Sequence, residues 1–194
     1  KSSNNKAATP QTIVHESADG SQKNEANKKS AKFAPVLLNN LAVDDTLQID
    51  LDNTNINWIG RKVTGEHTGT LNLSNGWVVM DKSILVGGKL IFDMTSISNT
   101  DIESAEGKLK LENHLKAEDF FYVDSFPRAI LEIRGNQAIS NDDKSASNNQ
   151  ILADLTIRGI VHEINLPYVL IQDENYFIAK GTVNIDRTLY NIQY

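Results

Sequence analysis

From Thr46 onward the chain alternates. TLQIDL puts Leu47, Ile49 and Leu51 on one face, the period-2 pattern of a half-buried strand. KVTGEHTGTLNL keeps it up over a long span: Val63, Gly65, His67, Gly69, Leu71 and Leu73 share one side, and Lys62, Thr64, Glu66, Thr68, Thr70 and Asn72 the other. GWVVM and GGKLIFDMTSI follow, the latter aligning Leu90, Phe92 and Met94. Further strands are predicted in AILEIRG (Ala129, Leu131, Ile133), ILADLTIRG (Ala153, Leu155, Ile157), HEINLPYVLI (Ile164, Leu166) and YFIAKGTVNID (Phe177, Ala179, Val183, Ile185). SNG, VGG and RG read as turn signals between several of them. About eight half-buried strands in series predict an all-β antiparallel barrel or sandwich.

One interruption breaks the alternation. SAEGKLKLENHLKAEDFF carries Glu106 with Lys110 and Glu112 with Lys116, each acid four residues ahead of its base, and Leu111 with Leu115 at the same spacing. This predicts a helix from about Ala105 to Glu118; KLKLE also alternates, and a strand through it is the competing reading. Immediately after come Phe120, Phe121, Tyr122 and Phe126 before Pro127. A helix ending near Glu118 delivers these rings to the mouth or flank of a barrel, where they plug it or line the entrance to an apolar tunnel, and Pro127 ends the segment.

Gly65 and Gly69 lie on the inward face of their strand. Missing side chains there leave space, or let the strand coil at a corner; an eight-stranded barrel either fills itself or holds one slender ligand. His67 shares that face. An inward histidine needs a hydrogen-bond partner, which a core hydroxyl or carbonyl supplies as well as a ligand would.

Residues 1–32 differ from the rest. They are rich in Lys, Ser, Asn and Ala, with six Lys against three acids, and bury too little apolar surface to offset ordering. They are expected to form a flexible polar tether ahead of a domain spanning 33–194, with a short helix over AKFAPVLLNNL as the alternative at the tether's far end. The whole chain carries a formal charge of −6, which argues against a nucleic-acid partner. It has no cysteine, hence neither disulfides nor thiolate metal sites. Catalytic patterns are lacking too. His162-Glu163 is followed by Leu166 where a zinc protease needs a second histidine, His67, His114 and His162 are far apart in sequence, and Gly87-Gly88 is a hairpin signal rather than a phosphate loop. The expectation is that the chain has no catalytic residue, metal or cofactor.

Five segments, INWIGRKVTGEHTGTLNL, GGKLIFDMTSI, KLENHLKAEDFFYVDSFPRAILEI, LADLTIRGIVHEINLP and GTVNIDRTLYNIQY, occur in this order, and together the chain resembles the YceI-like family of bacterial polyisoprenoid-binding proteins. The resemblance implies a lipocalin-like barrel of about eight strands crossed by one helix, with an apolar channel for an isoprenoid lipid such as a quinone or polyprenyl phosphate. It also implies an extracytoplasmic location, in the periplasm or on a membrane as a lipoprotein tethered through the N-terminus, and dimers occur in the family. On this reading the channel is lined by the inward residues Val63, His67, Leu71, Leu90, Phe92, Met94, Leu131, Ile133, Leu155, Ile157, Ile164, Leu166, Val183 and Ile185. Leu115, Phe120, Phe121 and Phe126 close one side. Trp58 joins them if a bulge near Gly60 corrects its parity. Arg61, Lys62 and His67 are the head-group candidates, and Arg187 is as well suited to a structural ion pair or turn.

Overall fold

The computed structural model describes residues 8–16, 45–62, 65–81, 84–139, 149–172 and 176–193. Among them are strands β1 (Ala8–Glu16), β2 (Asp45–Gln48), β3 (Asn55–Lys62), β4 (Gly65–Asp81) and β5 (Ile84–Asn99), then helix α1 (Ala105–Lys116). Strands β6 (Arg128–Ala138), β7 (Asn149–Ile157), β8 (Ile160–Gln172) and β9 (Phe177–Ile185) follow, and a 3-10 turn over Arg187–Tyr190 comes after β9.

The pairings make a ring: β4 pairs with β3, then β1, β9, β8, β7, β6 and β5, which returns to β4. The expected barrel is therefore present. All pairs are antiparallel except those of β1, which lies parallel to both β3 and β9. β1 falls inside the stretch expected to be a tether. ATPQTIVHE contains a β-branched run, Thr12-Ile13-Val14, and it supplies ladder partners to the two strands it lies between. The remainder of 1–32, the AKFAPVLLNNL segment and Val63 lie outside the described residues.

Several glycines read as turns are bulges instead. Ser74-Asn75-Gly76 lies within β4, which runs on through register shifts between Thr70 and Asn72 and between Leu73 and Asn75. Gly87 and Gly88 lie inside β5, opposite a further shift at Val79/Met80. Gly88 holds φ +145, and a Cβ there would stand 2.6 Å from the Trp77 carbonyl oxygen. Bulges use glycine for the same φ freedom and close approach that turns do, which is why the sequence alone does not separate them. Of the two Arg-Gly pairs, Arg158-Gly159 is a true two-residue turn with φ 51 and 73, whereas Gly135 marks a bulge in β6.

The helix prevails over the KLKLE strand. Ser104 caps it, its hydroxyl accepting from the Gly107 N–H, and Leu115 faces the core. Glu112 turns toward the sheet, accepting from the Ser98 hydroxyl at 2.9 Å and from the Asn99 N–H at 2.8 Å. These bonds fasten the helix to the last two residues of β5.

Candidate functional site

The barrel is filled at one end and open at the other. At the β2 end, Ile49, Val78, Met80, Leu85, Leu90, Leu131, Ile133, Ile151, Leu166 and Tyr168 converge around a void of only about 40 Å³. Under α1 lies a cavity of about 460 Å³, within the size range of small-molecule sites.

The wall of this cavity is built strand by strand. β3 gives Ile56, Trp58 and Gly60; β4 gives His67 and Leu71; β5 gives Phe92, Met94 and Ile97; β7 gives Leu155 and Ile157. Leu111, His114 and Leu115 of α1 close it from above, and Phe120 and Phe121 follow directly from the helix end. Those two rings meet edge to face, centroids 4.8 Å apart. They are held by Arg158, whose guanidinium donates to the Phe120 carbonyl at 2.8 Å and the Asn191 carbonyl at 3.0 Å. So Phe120 and Phe121 line a chamber rather than plugging the barrel.

The expected channel residues therefore divide. Trp58, His67, Leu71, Phe92, Met94, Leu115, Phe120, Phe121, Leu155, Ile157 and Ile185 line the cavity, as do Arg61 and Lys62. Leu90, Leu131, Ile133 and Leu166 belong to the filled end. Val183 is buried and Ile164 packs against the core, and neither lines the cavity. Phe126 packs elsewhere, edge to face on Tyr122 at 5.9 Å and over Gly159. Trp58 needs no bulge, because β3 stays in register with β4 from Ile56 to Lys62, and its inward neighbours are Ile56 and Gly60. Gly69 is explained by Trp58: a Cβ on Gly69 would stand 2.3 Å from the indole Cζ2 and 1.9 Å from the Ser98 carbonyl oxygen. The missing side chain admits the indole, whose N–H donates to the Thr70 carbonyl at 3.2 Å.

His67 is tied down by a carboxylate rather than by a core hydroxyl or carbonyl. Its Nδ1–H donates to Asp101 at 2.9 Å. Burial alone would raise the Asp101 pKa, but bonds from the Thr68 N–H, His67 and Asn99 outweigh it and hold the carboxyl below its ordinary range. The three histidines do not converge: His162 donates Nε2–H to the Leu189 carbonyl at 2.9 Å, and among the described residues no group of three or more potential ligands is placed to hold a metal.

The C-terminal contribution was not anticipated. Tyr190 and Ile192 are 1 % and 0 % exposed, and both line the cavity with Arg187. The Tyr190 hydroxyl is buried with no hydrogen-bond partner among the described residues, and burial pushes its pKa up to about 12. An unfolded tyrosine ionises near pH 10, so above that pH the unfolded chain gives up its proton before the folded one does. Stability due to this group is complete below pH 10 and falls as pH rises toward 12. Tyr190→Phe should flatten that decline. At neutral pH it should add about 1 kcal/mol by removing an unsatisfied buried hydroxyl. Urea titrations across the pH range check both; equal slopes for the two proteins would mean that the hydroxyl has a partner.

A model of the YceI-like domain matches residues 47–194. Among solved structures, BcnA of Burkholderia cenocepacia is similar at 18 % identity, over 66 % of this chain and 74 % of that one, with a TM-score of 0.52. A YceI protein of Campylobacter jejuni matches at 19 % identity, over 54 % of this chain and 58 % of that one, with a TM-score of 0.39. No curated protein matches. The likeness to BcnA is one of fold; the family match spans the barrel from β2 to the C-terminal turn, and the chain belongs to the YceI-like domain family.

Proposed function

We propose that this protein binds an isoprenoid-type lipid, quinone or polyprenyl phosphate in kind, with the tail in the cavity beneath α1, and that it stores or carries the lipid without chemistry. The observation that carries this reading is the cavity itself: about 460 Å³ left open in a barrel whose other end is packed to a 40 Å³ remnant. An empty apolar chamber forfeits contacts on every lining atom. Each tail CH2 moved there from water contributes about 0.8 kcal/mol. The family's known habit of binding polyisoprenoids supports the choice of tail. The extracytoplasmic location, a membrane tether through the N-terminus and a homodimer belong to the same proposal and rest on that family resemblance.

Protein purified from its native host should carry extractable lipid detectable by mass spectrometry. No lipid, even after quinones and polyprenyl phosphates are offered, would defeat the reading. Phe92→Trp should lower lipid retention several-fold while the far-ultraviolet spectrum stays unchanged, because the larger ring takes cavity space rather than core space. Undiminished retention would place the tail away from β5.

A further inference from the structure

The cavity's place in the barrel bears on two things that the lipid reading leaves open, the length of the tail and the charge of the head. Length is set by what lies beneath. Along β5 the wall passes from Phe92, lining the cavity, to Leu90, lining the small void; along β6 it passes from Ala129 to Leu131 in the same way. Leu90 and Leu131 are register partners and are 5 % and 4 % exposed. Ala153 of β7, register partner of Ile133, and Val183 of β9 are buried and line neither space. These residues form a floor. At the roughly 30 Å³ that a water-sized group occupies in a condensed phase, a volume of about 460 Å³ holds on the order of fifteen chain atoms.

Head charge is set by the rim. Among the described residues, the lining includes Arg61, Lys62, Lys110 and Arg187 but no Asp or Glu, in a chain of net charge −6. Arg61 is paired with Glu66 at 3.1 Å, and Arg187 donates to the Ile192 carbonyl and lies over the Phe120 ring. Lys62 and Lys110 are exposed, come from β3 and α1 respectively, and have no ion-pair partner among the described residues. Acids adjoin the lining at Glu66 on Arg61, Asp101 on His67 and Asp119 on His114, which leaves the Lys62 and Lys110 ammonium groups to attract an anion. Cations gathered at a low-dielectric cleft raise the local concentration of anions.

We propose that the cavity is a site for a short amphiphile with an anionic head, phosphate or carboxylate, held by the Lys62 and Lys110 ammonium groups. Its tail of about fifteen carbons ends against Leu90 and Leu131. This rests on the lipid-binding reading and narrows it: a longer isoprenoid leaves the rest of its tail outside the barrel.

The test is equilibrium binding of farnesol, farnesyl phosphate and palmitate to the full chain at low and high salt. Both anions should bind about tenfold or more tightly than farnesol at low salt, and the advantage should shrink as salt screens the rim. Their order identifies the head. The double variant Lys62→Gln/Lys110→Gln should cut the ratio of anion to alcohol affinity about tenfold. Lys89→Gln, which breaks a pair with Glu132 on the barrel exterior, should leave that ratio alone. In a series of saturated carboxylates, affinity should climb roughly fourfold per added CH2 until about sixteen carbons and then level. Leu131→Ala, or the milder Leu90→Val, should move the plateau to longer chains by joining cavity and void. Farnesol binding as tightly as farnesyl phosphate would overturn the anionic head, and affinity still climbing past about twenty carbons would overturn the floor. If farnesol and both anions fail to bind, the lipid-binding reading itself falls.

Discussion

Gly69→Ala should cost roughly 3–5 kcal/mol, at the severe end for a single methyl group. The added Cβ meets the Ser98 carbonyl oxygen at 1.9 Å and the Trp58 ring at 2.3 Å. The first obstacle is backbone, part of the β4–β5 pairing in which Gly69 faces Asn99, so it cannot rotate aside as a side chain would. The second is a ring already fixed by its bond to the Thr70 carbonyl. Relief requires the two strands to part where the cavity wall begins. Against a typical total stability of about 5–15 kcal/mol, this should move the urea midpoint far down and shift the emission of Trp58. Gly135→Ala is the control: nothing stands within 4 Å of its Cβ position, so it should change stability by less than about 0.5 kcal/mol. Equal midpoints for the two variants would mean that Trp58 does not lie over Gly69.

Trp58 also shows where sequence reading stops. The inward parity of β4 through β9 was legible because each strand buries one face and alternation has a fixed period. Among the residues that parity turns inward, His67, Leu71, Phe92, Met94, Leu155, Ile157 and Ile185 line the cavity. It could not say which half of each strand faces empty space. Leu90 and Phe92 have the same pattern in the sequence, yet one closes the filled end and the other lines the cavity. That difference depends on which side chains meet across the barrel, and bulges in β4 and β6 change those meetings. Helix α1 was legible from its paired charges, although Glu112 bonds to β5 and stands 3.9 Å from Lys108 rather than taking Lys116 as its ion-pair partner. Tyr190 and Ile192 left no periodic signal: DRTLYNIQY has neither period, and their burial comes from long-range contacts, with Arg158 of the β7–β8 turn bonding the Asn191 carbonyl and the His162 ring packing on Tyr190.

Asn99→Leu should be nearly as damaging, at about 3–4 kcal/mol, by leaving buried polar groups without partners. Asn99 is wholly buried, and its side chain makes three bonds. It donates to the Thr68 carbonyl at 2.9 Å and to Asp101 at 2.5 Å, and accepts from the Ile102 N–H at 2.9 Å. Leucine matches its size but makes none of these, and the Ile102 N–H loses its acceptor. The consequence reaches the site. Asn99 ends β5, its own N–H holds Glu112 of α1, and Asp101 holds His67. One residue therefore ties the end of β5 to the helix above the cavity through its backbone N–H, and to the carboxylate that holds the histidine through its side-chain amide. The variant should unfold at lower urea. Within the folded range it should also release bound lipid faster, since Asp101 loses its Asn99 donor and holds His67 in the cavity wall less firmly. Comparing lipid off-rates at matched fractions folded separates the two effects. An off-rate equal to that of the parent protein would mean that the Thr68 N–H holds Asp101 on His67 without Asn99.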